Sequence, residues 1–212
     1  MITDPARVAQ LRAFGTVSRM QPRYSAYQAT VADGDIPLVG MAQLFVELAP
    51  GNEVYRVADA ALKATGARPE SQVVEREFGL LVLHADDPQV VEEAGRVILE
   101  RLGASVADRS RPTIVSESVI TNVKPFQAHL INRMRRGSLL VPRQTLLVLE
   151  VTPAAYILLA ANEAERTADI DIIDIRPVGR FGRLYISGDE SNVREAADGA
   201  RSGLAALSGR DA

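Results

Sequence analysis

The chain alternates between short apolar runs and amphipathic stretches, in which apolar and polar residues are interleaved. Residues 42–48 form an apolar run rich in branched and aromatic side chains, which predicts a strand. Residues 53–65 place apolar side chains at helical spacing, which predicts a helix with one buried face. The apolar residues of this face are Val54, Val57, Ala58, Ala61 and Leu62.

The same pattern returns after 103 residues without a gap. Pro22 and Pro125 share this spacing, as do Gly34 and Gly137. The offset also matches strand, turn and cap positions, pairing Leu44 with Leu147, Glu47 with Glu150, Pro50 with Pro153, Phe78 with Phe181, Gly79 with Gly182 and Asp86 with Asp189. An unbroken register of this kind predicts a duplicated domain.

Each copy predicts the same series of elements. The series is a strand (16–20 and 119–123), a helix opening at the proline (22–32 and 125–135), a strand (42–48 and 146–151), a helix (53–65 and 153–167), two strands (71–74 and 80–84; 170–175 and 183–187) and a last helix (88–102 and 192–207). Asp86 and Asp189 are predicted to cap the last helices. This order predicts an α/β (α+β) fold, with helices packed on one sheet per copy.

Residues 1–14 precede the repeat and are predicted to form a short extra helix. Asp4 before Pro5 is a helix-start signal, and Val8 and Leu11 would lie on one face. We therefore divide the chain into an extension (1–14) and two domains (15–109 and 110–212).

Composition narrows the classes of function. The formal net charge is -3, so no basic field is available for nucleic acid. The chain has no cysteine, which excludes thiolate nucleophiles and cysteine metal sites and suits a reducing cytoplasm. No apolar stretch approaches the roughly 20 residues that cross a bilayer, so we expect no membrane partner.

Catalytic and metal signatures are missing from the sequence. Its two histidines, His84 and His129, have no metal-ligand spacing. No nucleophile, base and orienting group occur together, so we expect neither an enzyme nor a bound cofactor.

Three segments resemble the bacterial microcompartment domain family. They are the strand at 44–47, the alanine-rich helix at 57–64 and the strand ending in Gly-Asp at 184–189. The strand and helix that ordinarily close this domain come first here, so the chain resembles the tandem, circularly permuted subgroup. The resemblance covers the chain from about residue 15.

This resemblance implies a shell protein that assembles as a homotrimer imitating a hexamer, inside a cytoplasmic microcompartment. The tile would contact other shell proteins, and in some permuted relatives a second trimer stacks face to face. A lysine on the alanine-rich helix makes the lattice edge in relatives, and Lys63 and Arg166 match it. A basic residue before the helix proline is matched by Lys124, whereas the first copy has Gln21.

A turn between two strands lines the central pore in relatives, and small metabolites would pass there. Its counterparts here are Glu75, Arg76, Glu77 and Phe78 in the first copy and Val178, Gly179, Arg180 and Phe181 in the second. We hypothesise a gate carried by Arg76, Glu77 and Arg180, with the two phenylalanines as its pivot. The alternatives are a permanently closed tile, or a trimeric small-molecule-binding or regulatory protein of ferredoxin-like architecture.

Overall fold

The computed structural model describes residues 9–211 and contains two four-stranded sheets, one from each copy. The first copy comprises β1 (Gln10–Val17), α1 (Pro22–Val31), β2 (Ala42–Ala49), α2 (Glu53–Ala64), β3 (Arg68–Glu75), β4 (Phe78–Ala85) and α3 (Pro88–Leu102). A short 3-10 turn, Val106–Asp108, leads to the second copy.

The second copy repeats this series. It comprises β5 (Thr113–Ile120), α4 (Pro125–Asn132), β6 (Thr145–Thr152), a 3-10 turn (Ala154–Tyr156), α5 (Ile157–Thr167), β7 (Asp171–Arg176), β8 (Gly182–Gly188) and α6 (Glu190–Ala205).

The two sheets have equivalent strand orders, β1-β2-β4-β3 and β5-β6-β8-β7, and all neighbours are antiparallel. Their registers also match at the offset of 103. Gln10 pairs with Ala49, and Thr113 pairs with Thr152. The irregularity in β1 at Leu11 recurs in β5 at Ile114. Residues n and n + 103 therefore occupy equivalent places, as the repeat predicts.

The two faces of the first sheet are buried in different ways. Leu44, Val46 and Leu48 point towards α2 and α3 and form one apolar cluster with them. Phe45 points to the other side and belongs to a larger cluster drawn from both copies. There its ring meets the edge of Tyr156, with 6.0 Å between centroids. The second domain thus covers the first sheet.

The Phe-Gly pair at the start of β4 and β8 allows close packing. A Cβ on Gly79 would lie 2.2 Å from the carbonyl oxygen of Gly51, and one on Gly182 would lie 2.1 Å from that of Ala154. Any side chain would push the hairpin away from the segment after β2 or β6, so both copies use glycine here.

Several details differ from the sequence-based expectations. The first strand of each copy, predicted at 16–20 and 119–123, lies earlier, since β1 ends at Val17 and β5 at Ile120. The helix expected over residues 1–14 is wrong for residues 10–14, because these residues begin β1. Leu11 and Ala13 of this strand are buried, and β1 pairs with β2. Residues 1–8 lie outside the described part.

Asp86 is not a helix cap: Asp87 accepts the hydrogen bond from the Gln89 N–H, and Asp86 pairs with Arg68. Asp189 occupies the cap position of α6 without a side-chain hydrogen bond.

Candidate functional site

The turn of the first copy joins β3 and β4 through Arg76 and Glu77. Glu75 and Phe78 are paired as the last and first residues of the two strands. Arg76 has a φ of 53°, a left-handed conformation that is uncommon outside glycine. Phe78 is half-buried, and the guanidinium carbon of Arg12 lies 3.8 Å from the centre of its ring. This contact anchors the base of the turn to β1.

The turn of the second copy spans residues 177–181, between β7 and β8. Gly179 has a φ of 95° and occupies the place equivalent to Arg76. Val178 packs against the large cluster, and Phe181 is half-buried. The Arg180 guanidinium carbon lies 5.5 Å from the Phe181 ring centre. Arg180 is thus held beside its own strand.

The two turns lie side by side within one chain. A Cβ placed on Gly179 would be 3.6 Å and 3.7 Å from the two carboxylate oxygens of Glu75. The structure therefore brings together two segments that are a hundred residues apart in sequence. Between residues 9 and 211, Arg76, Glu77 and Arg180 form no ion pair with any described side chain.

A cavity of about 320 Å³ lies next to the first turn. Arg76 and Glu77 form one wall, and the segment after β2 forms the other, from Ala49 to Asn52.

The expected lattice-edge residues all lie on the surface. Lys63, near the end of α2, is 74% exposed and pairs with Asp59 at 2.8 Å. Arg166 holds the equivalent place in α5, is 57% exposed and pairs with Glu163. Lys124 is exposed immediately before α4. The position equivalent to Lys124, Gln21, is instead used internally, since its N–H donates to Asn162 at 2.9 Å.

The contact between the two domains was not anticipated from the sequence. Glu165 of α5 accepts hydrogen bonds from the N–H groups of Arg23 and Tyr24, at 2.7 and 2.6 Å, and so caps α1. Arg23 pairs with Asp169 at 2.6 Å. The Tyr27 hydroxyl donates to Asp174 at 2.6 Å. We call these contacts, together with those of Glu47, the internal junction.

Glu47 completes the internal junction from β2. Its carboxylate pairs with Arg12 at 2.7 Å and accepts a hydrogen bond from the Ala155 N–H at 2.9 Å. Burial raises the pKa of Glu47 above its ordinary value, although both contacts oppose this shift.

Within the described residues, a buried polar cluster distinguishes the first copy from the second. Glu70 is 1% exposed and accepts hydrogen bonds from Gln28 and Gln43, both at 2.8 Å. His84 is fully buried between two carboxylates. Its Nδ1 lies 3.4 Å from a carboxylate oxygen of Glu70, and its Nε2 lies 2.9 Å from one of Asp35. Burial alone would lower the pKa of His84, but the two carboxylates outweigh it and raise the pKa.

In the second copy, three of the five equivalent side chains are apolar, and Asp35 and His84 are replaced by Ser138 and Ser187. Gln28, Gln43 and Glu70 correspond to Ile131, Leu146 and Ile173, which contribute to a small apolar cluster. The polar cluster is therefore a feature of one domain and not of the shared fold.

Within the described residues, no group of three or more histidine, cysteine, aspartate or glutamate side chains is placed to hold a metal ion. No helix in the same part of the chain is both long and apolar enough to cross a membrane.

Comparison with known proteins gives matches over nearly the whole chain. The family model described as the CsoS1D N-terminal domain matches residues 11–108. The chain is 44% identical to the carboxysome shell protein CcmP of Synechococcus elongatus over 202 residues, covering 95% of each protein. It is 40% identical to the carboxysome shell protein CsoS1D of Hydrogenovibrio crunogenus, covering 95% of this chain and 98% of that one.

Solved structures give the same result. The fused permuted hexameric shell protein MSM0275 from the RMM microcompartment has a TM-score of 0.91 at 40% identity, with 95% of this chain and 100% of that chain covered. The double ringed trimeric shell protein MSM0271 from the same microcompartment has a TM-score of 0.92 at 36% identity, covering 96% of this chain and 100% of that chain.

Proposed function

The chain belongs to the family of bacterial microcompartment shell proteins with two permuted domains, and from this premise we propose that it forms a homotrimeric shell tile with a central pore. A structural role in a microcompartment shell is common to its relatives. We further propose that the tile works without catalysis, in a compartment inside the cytoplasm.

The observation that carries the pore proposal is the contact between the two turns. Glu75 lies against Gly179, so each chain presents two neighbouring turns from two equivalent domains. Three chains arranged about one axis would bring six such turns together with approximate sixfold symmetry. The constriction would then be lined by residues of both turns.

The charges at these turns favour a gate. Arg76 and Glu77 from the first domain and Arg180 from the second have no ion-pair partner within the described chain. In a closed state they would pair with opposite charges of neighbouring chains. In an open state they would leave a charged rim that selects among small polar metabolites. Phe78, held beneath Arg12, and Phe181, beside Arg180, would be the fixed points about which the turns move.

A discrete trimeric regulatory protein of ferredoxin-like architecture, the other candidate, is not favoured. The relatives that match over 95% of the chain are shell proteins. Stacking of two trimers is a further part of our proposal, supported by the double-ringed relative of the same fold.

Assembly of the purified chain tests this function. We expect light scattering to give the mass of three chains, or six if trimers stack, and negative-stain microscopy to show sheets or tubes at high concentration. A monomer, or a trimer that never forms extended arrays, would reject the tile.

Solute flux tests the gate separately. We expect shells built with the double variant Glu77→Ala, Arg180→Ala to admit charged metabolites at a changed rate. Shells with Arg194→Ala, on the exposed face of α6, provide the control. Unchanged flux in the double variant would reject the gate and leave the tile intact.

A further inference from the structure

We propose that His84 is a pH-sensitive latch for the segment that joins α1 to β2: the protonated ring holds this segment through Asp35, and loss of the proton releases it. We call the segment, residues 33–41, the first-copy loop. It carries three apolar side chains that are more than half exposed, Ile36, Leu38 and Val39. The latch therefore controls the order of an apolar patch on the surface, and it does not depend on the proposed trimer or pore.

His84 lies between two carboxylates that differ in their freedom to move. Glu70 is buried, and both of its oxygens accept hydrogen bonds, one from Gln28 and one from Gln43. Asp35 is 44% exposed and belongs to the first-copy loop. Because one partner is fixed in the core and the other is carried by the loop, the ring of His84 ties the loop to the sheet.

The protonation state of His84 decides whether both contacts can form. The charged ring has two N–H donors, one for each carboxylate, whereas the neutral ring has one donor and one lone pair. The lone pair of the neutral ring must then face a carboxylate that can only accept. Loss of the proton therefore removes one of the two contacts.

The contact that is lost is the one with Asp35. An unpaired carboxylate costs more in the core than at the surface, so the neutral ring keeps its proton on Nδ1, beside Glu70. Asp35 can turn to water, and Arg68 offers it a second partner at 3.3 Å. The loop thus loses its connection to β4, while Glu70 keeps all of its donors.

The other charged groups around the ring do not replace this contact. Arg68 opposes the raised pKa of His84 and is shared between Asp35 and Asp86, at 3.3 and 2.9 Å. Burial raises the pKa of Tyr24 well above its ordinary value, so its hydroxyl stays neutral. Within the described residues, the ionisable groups near the ring are Glu70 and Arg68 of β3, Asp35 of the loop, Asp86 after β4 and Tyr24 of α1.

The equivalent loop of the second copy, residues 136–144, is held by groups that do not titrate. The side chain of Asn132 donates to the carbonyl oxygen of Leu140 and accepts from its N–H, both at 2.9 Å. The side-chain oxygen of Gln144 accepts from the N–H of Val141 at 3.1 Å. Amide side chains keep these bonds at any pH at which the protein is folded.

The first-copy loop lacks both amides, because Ala29 and Met41 stand in their places. The sulfur of Met41 accepts from the N–H of Leu38 at 3.3 Å, but a thioether is a weak acceptor. The loop depends instead on Asp35 and His84, where the second copy has two serines. The pH-sensitive contact is therefore specific to the first copy.

Hydrogen exchange of the full chain tests the latch, with the second-copy loop as an internal control. Exchange is followed by mass spectrometry in peptides covering 33–41 and 136–144 and corrected for the intrinsic effect of pH. We expect exchange of the first-copy loop to quicken by roughly 10-fold as the pH rises from about 6.5 through the raised pKa of His84, because a hydrogen bond to a charged group is lost. Exchange of the second-copy loop should stay constant. Equal changes in the two loops, or none in the first, would overturn the latch.

Two neighbouring acidic residues give a matched pair of variants. Asp35→Asn removes the charge that faces the ring, so exchange of the first-copy loop should lose its dependence on pH. Asp33→Asn changes an exposed carboxylate two residues earlier and should preserve it. His84→Gln should act like Asp35→Asn, and circular dichroism verifies its fold. Since Asp35 is partly exposed, its variant keeps the test decisive even where His84→Gln is unstable. The same behaviour in the Asp33 and Asp35 variants would mean that Asp35 does not carry the effect.

The state of the ring tests the mechanism directly. His129→Gln leaves His84 as the sole histidine, so its ring nitrogens can be followed by NMR with labelled histidine. We expect the ring to lose its proton above about pH 6.5 and to retain the N–H on Nδ1. Asp35→Asn in this background should lower the pKa of His84, and Asp33→Asn should not. A neutral ring with its N–H on Nε2 would show that Asp35 keeps its contact, which contradicts release of the loop.

Discussion

Glu47 of the first domain accepts a hydrogen bond from the backbone N–H of Ala155, 108 residues further along the chain, at 2.9 Å. The same carboxylate pairs with Arg12, whose side chain is only 17% exposed. One buried charge therefore connects β1 and β2 to the start of the α5 segment. Its counterpart Glu150 pairs with Arg183 of its own sheet and is more exposed.

This difference predicts unequal effects of the same substitution at two equivalent sites. Glu47→Ala leaves Arg12 and the Ala155 N–H buried without a partner, so we expect a loss of about 3 kcal/mol in the free energy of unfolding. Urea denaturation at a fixed chain concentration measures it. Glu150→Ala should change the free energy of unfolding by less than about 1 kcal/mol, because this more exposed carboxylate pairs with a half-exposed Arg183 of its own sheet. Equal losses at both sites would contradict the different burial and bonding of the two carboxylates.

The left-handed residue of each turn provides the second prediction. Arg76 has a φ of 53° where the second copy has Gly179, with a φ of 95°. Arg76→Gly should relieve an unfavourable conformation and stabilise the fold by about 0.5–1 kcal/mol. Gly179→Ala should cost about 1 kcal/mol, because alanine is strained there. Thermal unfolding checks both, and a destabilised Arg76→Gly variant would mean that the arginine side chain makes a contact worth more than the strain.

His84 makes the stability depend on pH in a defined direction. Its pKa is raised in the folded chain by Glu70 and Asp35, against an ordinary value of roughly 6.5. The stabilisation of the fold by protonated His84 is therefore complete below the ordinary pKa. It is lost as the pH rises through the raised pKa of the folded chain. Arg68, which also pairs with Asp35, opposes the raised pKa. We expect the free energy of unfolding to fall as the pH rises from about 6.5 through the raised pKa of His84.

Two variants isolate this effect, since the chain has only two histidines. His84→Gln should flatten the pH dependence over this range. His129→Gln, at an exposed position of α4, should preserve it. A wild-type profile that is flat, or that is unchanged in His84→Gln, would exclude the buried histidine as its source.

The duplication is what made most of the fold predictable from the sequence. Once Pro22 was matched to Pro125, each element supported the assignment of its counterpart, and both sheets have the expected number of strands, although β1 and β5 lie earlier than the strands predicted at 16–20 and 119–123. The helix expected over residues 1–14 was wrong because two apolar residues, Val8 and Leu11, are too few to define a helical periodicity. In β1, Leu11 and Ala13 are buried by pairing with β2, which is a contact between distant segments.

The site was predictable in position but not in its contacts. The repeat located the two turns, yet their closeness depends on how the domains pack, and nothing in the residues around Glu75 or Gly179 encodes it. The same holds for the cluster around His84, whose partners Glu70 and Asp35 come from other elements. A comparison of the two copies does contain a signal: Gln43 and Glu70 stand where the second copy has Leu146 and Ile173.

The exposed basic residues of α2 and α5 provide the last prediction. Lys63 and Arg166 hold equivalent places, and among residues 9–211 each pairs only with an acidic side chain of its own helix, Asp59 or Glu163. Exposed pairs of this kind contribute only about 0.3–0.5 kcal/mol, so the double variant Lys63→Ala, Arg166→Ala should unfold at nearly the wild-type temperature. Its trimer mass should be unchanged, whereas sheets should disappear from negative-stain images, because neighbouring tiles would lose their edge contact. Arg194→Ala removes a similar helical pair on α6 and is expected to keep the sheets. If the double variant still forms sheets, the tile edge does not depend on these two side chains, and the basic residues of the helices serve only as solvated surface.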